Sequence, residues 1–364
     1  MLFIDEIQES PNAIKQLRYF YESDLLVDVI AAGSLLEHVL GSLKSFPVGR
    51  VSYLALYPMN FKEYLRASNN SNLVKVLEQV PCPDYAIPLL MKSFHDFALI
   101  GGMPEVVAAY SDTKDIQYVN DIFETLLSSY KDDVIKYAKN NTEANIIRHI
   151  IDTAPKEADN RIQFEGFGNS NFGSREVGNA MRSLQAAKLL QLIYPSSTVQ
   201  PPIQPNLRKR PKLQFIDTGL MNYALGIQIE LIGIKDLSSI YKGKIIQHLV
   251  TQEFISTFEK PSQQSSFWVR EKKTSNAEID LTYQYGKHII PIEIKAGKTG
   301  RLRSLHLFMD LVDHSYAIRL YNGPLQLDNI QTLKGKPFQL LNLPYCMGCM
   351  LPEYVEWLVE ETNF

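Results

Sequence analysis

The sequence predicts a multidomain α/β protein, with an α/β unit at each end and a helical stretch between them. Three observations carry this. Short apolar runs alternate with amphipathic helical patterns from Leu2 to Leu65, which is the grammar of a parallel sheet with crossover helices. From about 67 to 195, apolar residues recur mainly at helical spacing. After Lys244, one helix is followed by several strands divided by turn residues. A chain of 364 residues, 45% apolar, can bury two or three real cores.

Residues 2–5 read as a buried strand. Ser10-Pro11 opens a helix with Ile14, Leu17 and Phe20 on one face, Ser10 as N-cap and Pro in the first turn. Leu25 to Ala32 is a second strand, closed by Gly33-Ser34. Val51 to Leu56 is a third, stopped by Pro58, and Asn60 to Leu65 starts a helix. Breaks at 69–72 and 81–83 and a sharp turn at Gly101-Gly102-Met103-Pro104 divide the helical part, and residues 115–138 form one long helix or two shorter ones. Residues 143–195 give helix, polar loop, helix and a short strand at 192–194, similar to a winged helix-turn-helix. Ser196 to Pro211 is a Pro-rich basic linker. Leu213 to Ile216 is a strand feeding a helix at Leu220 to Leu225. Then come a helix (Lys244 to Phe258), three strands (267–270, 279–283, 289–295), a helix (301–311) and a strand (316–321). The expected domains are 1–66, 67–140, 141–212, 213–345, and a C-terminal helix in 346–364.

Composition limits the function classes. A net charge of −3 excludes a globally basic nucleic-acid coat but not a local patch. No apolar run approaches the length of a membrane span. No export signal is visible and three cysteines are too few for a disulfide framework, so a cytoplasmic home and no membrane partner are expected. Cys346 and Cys349, a lone C-x-x-C pair, read as structural thiols.

Two constellations carry chemistry. The first is Leu2-Phe3-Ile4-Asp5-Glu6, an apolar strand ending in two acids. In P-loop ATPases this Walker B pattern holds Mg²⁺ and polarises the attacking water. The bland alternative is a solvated strand end. A Walker A loop is expected upstream of it. Only Gly297-Lys298-Thr299 has that loop's ending, and Ile292 stands where its first glycine should be. The second constellation is Asp280 on one strand and Glu293-x-Lys295 on the next. Alternation puts Glu293 and Lys295 on one face, as in the Mg²⁺ site of PD-(D/E)XK nucleases, where two carboxylates hold the metal and the Lys orients water. An ion cluster is the alternative. Gln247 stands on the preceding helix where such nucleases usually add an acid.

The order of these features, with Gly49-Arg50, the block from Leu56 to Leu65 and Gly101 to Glu105, resembles a bacterial and archaeal family of AAA-type ATPases with a C-terminal nuclease-like domain. The resemblance runs from residue 2 to about 345. It implies a partial P-loop ATPase sheet, a helical lid, a winged-helix-like region and a mixed α/β nuclease-like domain, with ATP and Mg²⁺ as cofactors in a form that has the Walker A part. Asp5 would hold Mg²⁺ through its water shell, Glu6 would orient the hydrolytic water, Ser34 would sense the γ-phosphate, and Arg50 would reach a phosphate or a neighbouring subunit. Asp280 and Glu293 would hold a second Mg²⁺ beside Lys295. The densest positive run, Arg208, Lys209, Arg210 and Lys212, is a candidate phosphate contact for nucleic acid, or a solvated loop. Nucleic acid and a protein partner or second copy are the expected partners.

Overall fold

A computed structural model describes residues 1–23, 27–33, 49–135, 138, 140–232, 243–260, 262–272, 275–297 and 302–360. Ser34, Lys298 and Thr299 lie outside these residues. At the N-terminus, β1 (Leu2–Ile4) and β2 (Val29–Ala31) pair in parallel, with α1 (Pro11–Glu22) between them. Ser10 caps α1 by accepting the Ala13 N–H. The strands are less buried than their apolar run predicts. Phe3 and Ile30 face each other across the ladder and are 57% and 50% exposed. The expected third strand, 51–56, has no regular structure: Leu54 and Leu56 both face solvent, and among the described residues no layer packs on either.

The middle of the chain is helical: α2 (Phe61–Ala67), α3 (Ser71–Leu77), α4 (Ile87–Ile100), α5 (Pro104–Thr113), α6 (Ile116–Ile135) and α7 (Asn141–Glu157). Asn60 starts α2 with a reciprocal capping box to Glu63, a device worth about 1 kcal/mol. After α8 (Ser174–Ala186), β3 (Leu190–Ile193) pairs antiparallel with β5 (Lys212–Phe215). The linker between them contributes β4 (Pro195–Ser196) to the C-terminal sheet.

Next come α9 (Thr218–Leu225), α10 (Gln228–Leu231), α11 (Lys244–Ile255), β6 (Ser266–Lys272), β7 (Ser275–Tyr285), β8 (His288–Ile294), α12 (Arg303–Met309), β9 (Tyr316–Tyr321), β10 (Gln326–Gln331), β11 (Pro337–Pro344) and α13 (Leu351–Glu360). The sheet order is β10-β11-β9-β8-β7-β6-β4. Strands β6, β7 and β8 are antiparallel, and α12 carries the crossover to β9, parallel to β8. Gly286, at positive φ, makes the tight β7–β8 turn that the sequence predicts.

Sequence blocks far apart in the chain meet in one junction. Met59 N–H donates to Gly102 O at 2.7 Å. Gly102 N–H donates to the Asp217 carboxylate at 2.7 Å, and the same carboxylate caps α9 by accepting Leu220 N–H at 2.9 Å. Phe61 N–H, at the start of α2, donates to both oxygens of Glu253 on α11. Helix starts leave such N–H groups without intrahelical partners, and here buried acids satisfy them. The backbones approach so closely that a Cβ on Gly102 would lie 2.0 Å from Met59 O, and one on Gly219 would lie 2.0 Å from Ile100 O. Gly102→Ala and Gly219→Ala are each expected to lose about 2–4 kcal/mol, read as a lower urea midpoint. Gly173→Ala, whose added Cβ meets only Glu176 at 3.6 Å, should move the midpoint little.

Candidate functional site

Asp5 and Glu6 lie just past the C-terminal end of β1, both exposed. Open α/β sheets bind ligands outside the carboxyl ends of their parallel strands, so the acids stand on the appropriate edge. Asp5 Oδ1 accepts Glu6 N–H at 3.0 Å. Glu6 takes a left-handed conformation, φ 46°, which a non-glycine residue adopts at some strain. Its carboxylate accepts a hydrogen bond from the Gln8 side chain. Arg50, expected near phosphate or a neighbouring subunit, has its guanidinium 2.7 Å from Glu22 at the end of α1. No Gly-x₄-Gly-Lys-Ser/Thr loop occurs in residues 1–364. These residues therefore fit the Mg²⁺ and water side of a nucleotide site, and the phosphate cradle is not among them.

The structure brings Asp280, Glu293, Lys295 and Gln247 together. The β7–β8 register, Leu281 opposite Ile292, places the two acids on neighbouring strands. Lys295 Nζ lies 2.5 Å from Glu293 Oε1. Asp280 Oδ1 accepts the Gln247 amide at 3.0 Å, and Oδ2 accepts Ile294 N–H at 2.8 Å. Burial, then the Asp280 charge, push the Glu293 carboxyl up to about 7. Its buried Oε2 has no hydrogen-bond partner among the described residues, the one feature here that suits a cation.

Lys212 departs from the sequence reading. It was expected on a basic surface, yet it is only 6% exposed. Strand β5 aims its ammonium into this centre, 2.9 Å from Glu278 Oε1 and 3.6 Å from Asp280 Oδ1, with the Phe267 ring 4.9 Å away. Burial pulls its pKa down, but Asp280, Asp159 and Glu278 outweigh that and hold it above the ordinary lysine value. Lys209 pairs with Glu271 at 2.8 Å, while Arg208 and Arg210 are exposed. Asp159 joins the cluster at the end of α7 in a left-handed conformation, and burial pushes it up to about 7 against the Lys212 charge. A Mg²⁺ shell needs oxygen ligands with free lone pairs. Asp280 instead faces an amide, a backbone N–H and an ammonium. Among the described residues no group of three or more His, Cys, Asp or Glu side chains is placed to hold a metal. The residues do not fit Mg²⁺.

Residues 1–65 match a family model described as an AAA domain, which contains Asp5, Glu6, Ser34 and Arg50. Residues 91–230 match a domain of unknown function (DUF8612), and residues 242–337 another (DUF4143). The N-terminal match supports an AAA-type ATPase family. Comparison with curated proteins and with solved structures gave no match. Among the described residues no helix is long and apolar enough to cross a membrane.

Sequence reasoning missed the buried polar chain behind the junction. His248 Nε2 accepts Phe215 N–H at 3.1 Å, so its Nδ1–H donates to Thr218 Oγ1 at 2.8 Å. Thr218 Oγ1 donates to Gln252, and the Gln252 amide donates to Asp217. Burial pushes His248 down to about 3, so it is neutral. The signal was the Asp217-Thr218-Gly219 N-cap, which reads as a turn into a helix but names no partner. Cys346 and Cys349 are buried free thiols, and burial raises both well above the usual thiol range, as inert structural cysteines require.

Burial pushes Glu253 from 4.5 up to about 8, against the opposing Phe61 N–H. The folded protein holds that proton more tightly than the unfolded chain does. This contribution to stability is therefore complete below about pH 4.5 and is lost as pH rises towards about 8. In urea unfolding, wild type should lose stability relative to Glu253→Gln by up to about 1.4 kcal/mol per pH unit within that window. A difference that stays constant with pH would show that Glu253 does not titrate on folding.

Proposed function

We propose that this chain acts as an AAA-type ATP-binding protein, with Asp5 and Glu6 as the metal and water side of its nucleotide site. The observation that carries this is the placement of the two acids at the carboxyl end of a parallel strand pair, inside the segment that matches an AAA domain. When bound, Mg²⁺-ATP supplies the phosphoanhydride to be hydrolysed. Asp5 would hold the metal's water shell, Glu6 would orient water, Ser34 would sense the terminal phosphate and Arg50, paired here with Glu22, would reach a phosphate or a neighbouring subunit. A phosphate-binding loop from outside residues 1–364 completes the site. The proposed target is nucleic acid, reached through the exposed Arg208 and Arg210 beside the winged-helix-like pair of helices and strands, with Lys209 tied to Glu271.

The position of Asp280 on β7 and Glu293 on β8, with Lys295 just past its end, supports a second reading, kinship of the C-terminal sheet with PD-(D/E)XK nucleases. On this reading the kinship is one of fold, and the centre's present chemistry is a separate matter.

A fluorescent-ATP titration tests the first reading. It compares residues 1–364 alone with a form carrying a Gly-x₄-Gly-Lys-Ser/Thr loop ahead of residue 1. The loop-bearing form is expected to bind Mg²⁺-ATP at least about 100-fold more tightly, since the loop supplies the phosphate contacts. In that form Glu6→Gln should leave binding intact and lower turnover by about 10²-fold or more, while Asp5→Asn should weaken Mg²⁺-dependent binding. Unchanged binding and turnover in both variants would remove these acids from the site.

A further inference from the structure

We propose that the nuclease-like centre is a metal-free ion cluster in which the Lys212 ammonium takes the place of the divalent cation. The cluster thereby clamps the helical middle of the chain onto the C-terminal sheet. The position of Lys212 is set by backbone on two sides. It faces Ile193 in the β3–β5 ladder and Arg161 across an isolated bridge. Segment 158–162 is stitched to 211–213 by Asp159 N–H to Leu213 O, Leu213 N–H to Asn160 O and Ile162 N–H to Pro211 O, at 2.7, 3.1 and 2.8 Å. The ammonium is thus delivered into the carboxylates by a fixed strand rather than by a mobile side-chain choice.

Around it the chemistry is that of a cation already supplied. Glu278 Oε1 at 2.9 Å and Asp280 Oδ1 at 3.6 Å face the ammonium. Gln247, at the helix position where a ligand acid would stand, turns its amide N–H towards Asp280 and so takes up a lone pair instead of adding one. A divalent ion entering here would meet a fixed positive charge, with one oxygen of Asp280 held by the Gln247 amide and the other by backbone N–H. A second tier repeats the pattern: Arg161 lies 2.7 Å and Lys209 2.8 Å from Glu271 on β6. In both tiers the cations come from segments 161 and 209–212; Glu271, Glu278 and Asp280 come from β6 and β7, while Asp159 joins from the cations' own side. This inference does not depend on the nucleotide-binding proposal.

The experiment uses the full chain in an Asp5→Asn background, so that the N-terminal acids do not contribute metal binding. In EDTA, Asp280→Asn removes an anion that Lys212 needs, and the melting temperature should fall by roughly 5 °C or more. If the centre were an empty metal site, the same change would relieve repulsion between carboxylates and leave the melting temperature equal or higher, which would overturn the proposal. Titration with Mn²⁺, read by its electron paramagnetic resonance signal, should show no saturable binding that Asp280→Asn abolishes; finding such binding would also overturn it. Lys212→Met frees the carboxylates and is expected to gain Mn²⁺ binding, with a melting temperature that rises on adding Mn²⁺. The first two measurements decide the matter even where Lys212→Met does not fold.

Discussion

The architecture depends on two buried carboxyl groups that accept hydrogen bonds from backbone N–H groups far away in sequence. Asp217 and Glu253 have no exposed surface. Burial raises the pKa of both acids, and the N–H groups that fill their oxygens oppose that shift. Asp217 takes N–H groups from Gly102, Leu220 and the Gln252 amide, and Glu253 takes Phe61 N–H on both oxygens. The N–H donors at the starts of α2 and α9 would otherwise be buried without partners. Acid and helix start therefore solve each other's problem, and in doing so join the helical middle to α11. The glycines follow from this: Gly102 and Gly219 are where the backbones pass too closely for any Cβ.

The polar chain from His248 to Asp217 shows how one such acid is held in a unique state. Each donor has one acceptor in sequence: His248 Nδ1–H to Thr218, Thr218 to Gln252, Gln252 to Asp217. Reversing any member would leave a buried donor facing a donor. Such fully satisfied networks specify one packing more sharply than an apolar core of the same volume. The polar chain starts from Phe215, the last residue of the strand that also delivers Lys212, and continues through Asp217 and Thr218 just after it.

What the sequence makes legible here is local. The helix start at Asn60, the Ser10-Pro11 helix start, the Gly286 turn and the shared face of Glu293 and Lys295 all depend on spacings of a few residues, and all are in the structure. The misreadings depend on what stands opposite. Val51 to Leu56 has strand composition, but composition does not supply a packing layer, and Leu54 and Leu56 face solvent. Lys212 closes a basic run and so looked like surface. Only the β3–β5 ladder and the bridge to Arg161 turn it inward. Glu253 lies six residues past Gln247 on α11, and its partner is Phe61, 192 residues away. Long-range pairings of that kind leave no periodic trace in the chain.

The junction also fixes how the N-terminal part is connected to everything else. Ahead of α2 the chain runs through irregular residues 51–58 and is then gripped at once: Met59 N–H by Gly102, Asn60 by its reciprocal cap with Glu63, Phe61 N–H by Glu253. Three consecutive residues are thus anchored by three different partners. Two of those partners belong to the helical middle and one to the C-terminal unit. The start of α2 is tied to a buried acid, because Phe61 N–H is the group that Glu253 accepts. The Gly102 and Phe61 contacts therefore tie the start of α2 both to the helical middle and to α11. The ion cluster at Lys212 ties the same two parts together a second time, on the far side of β5.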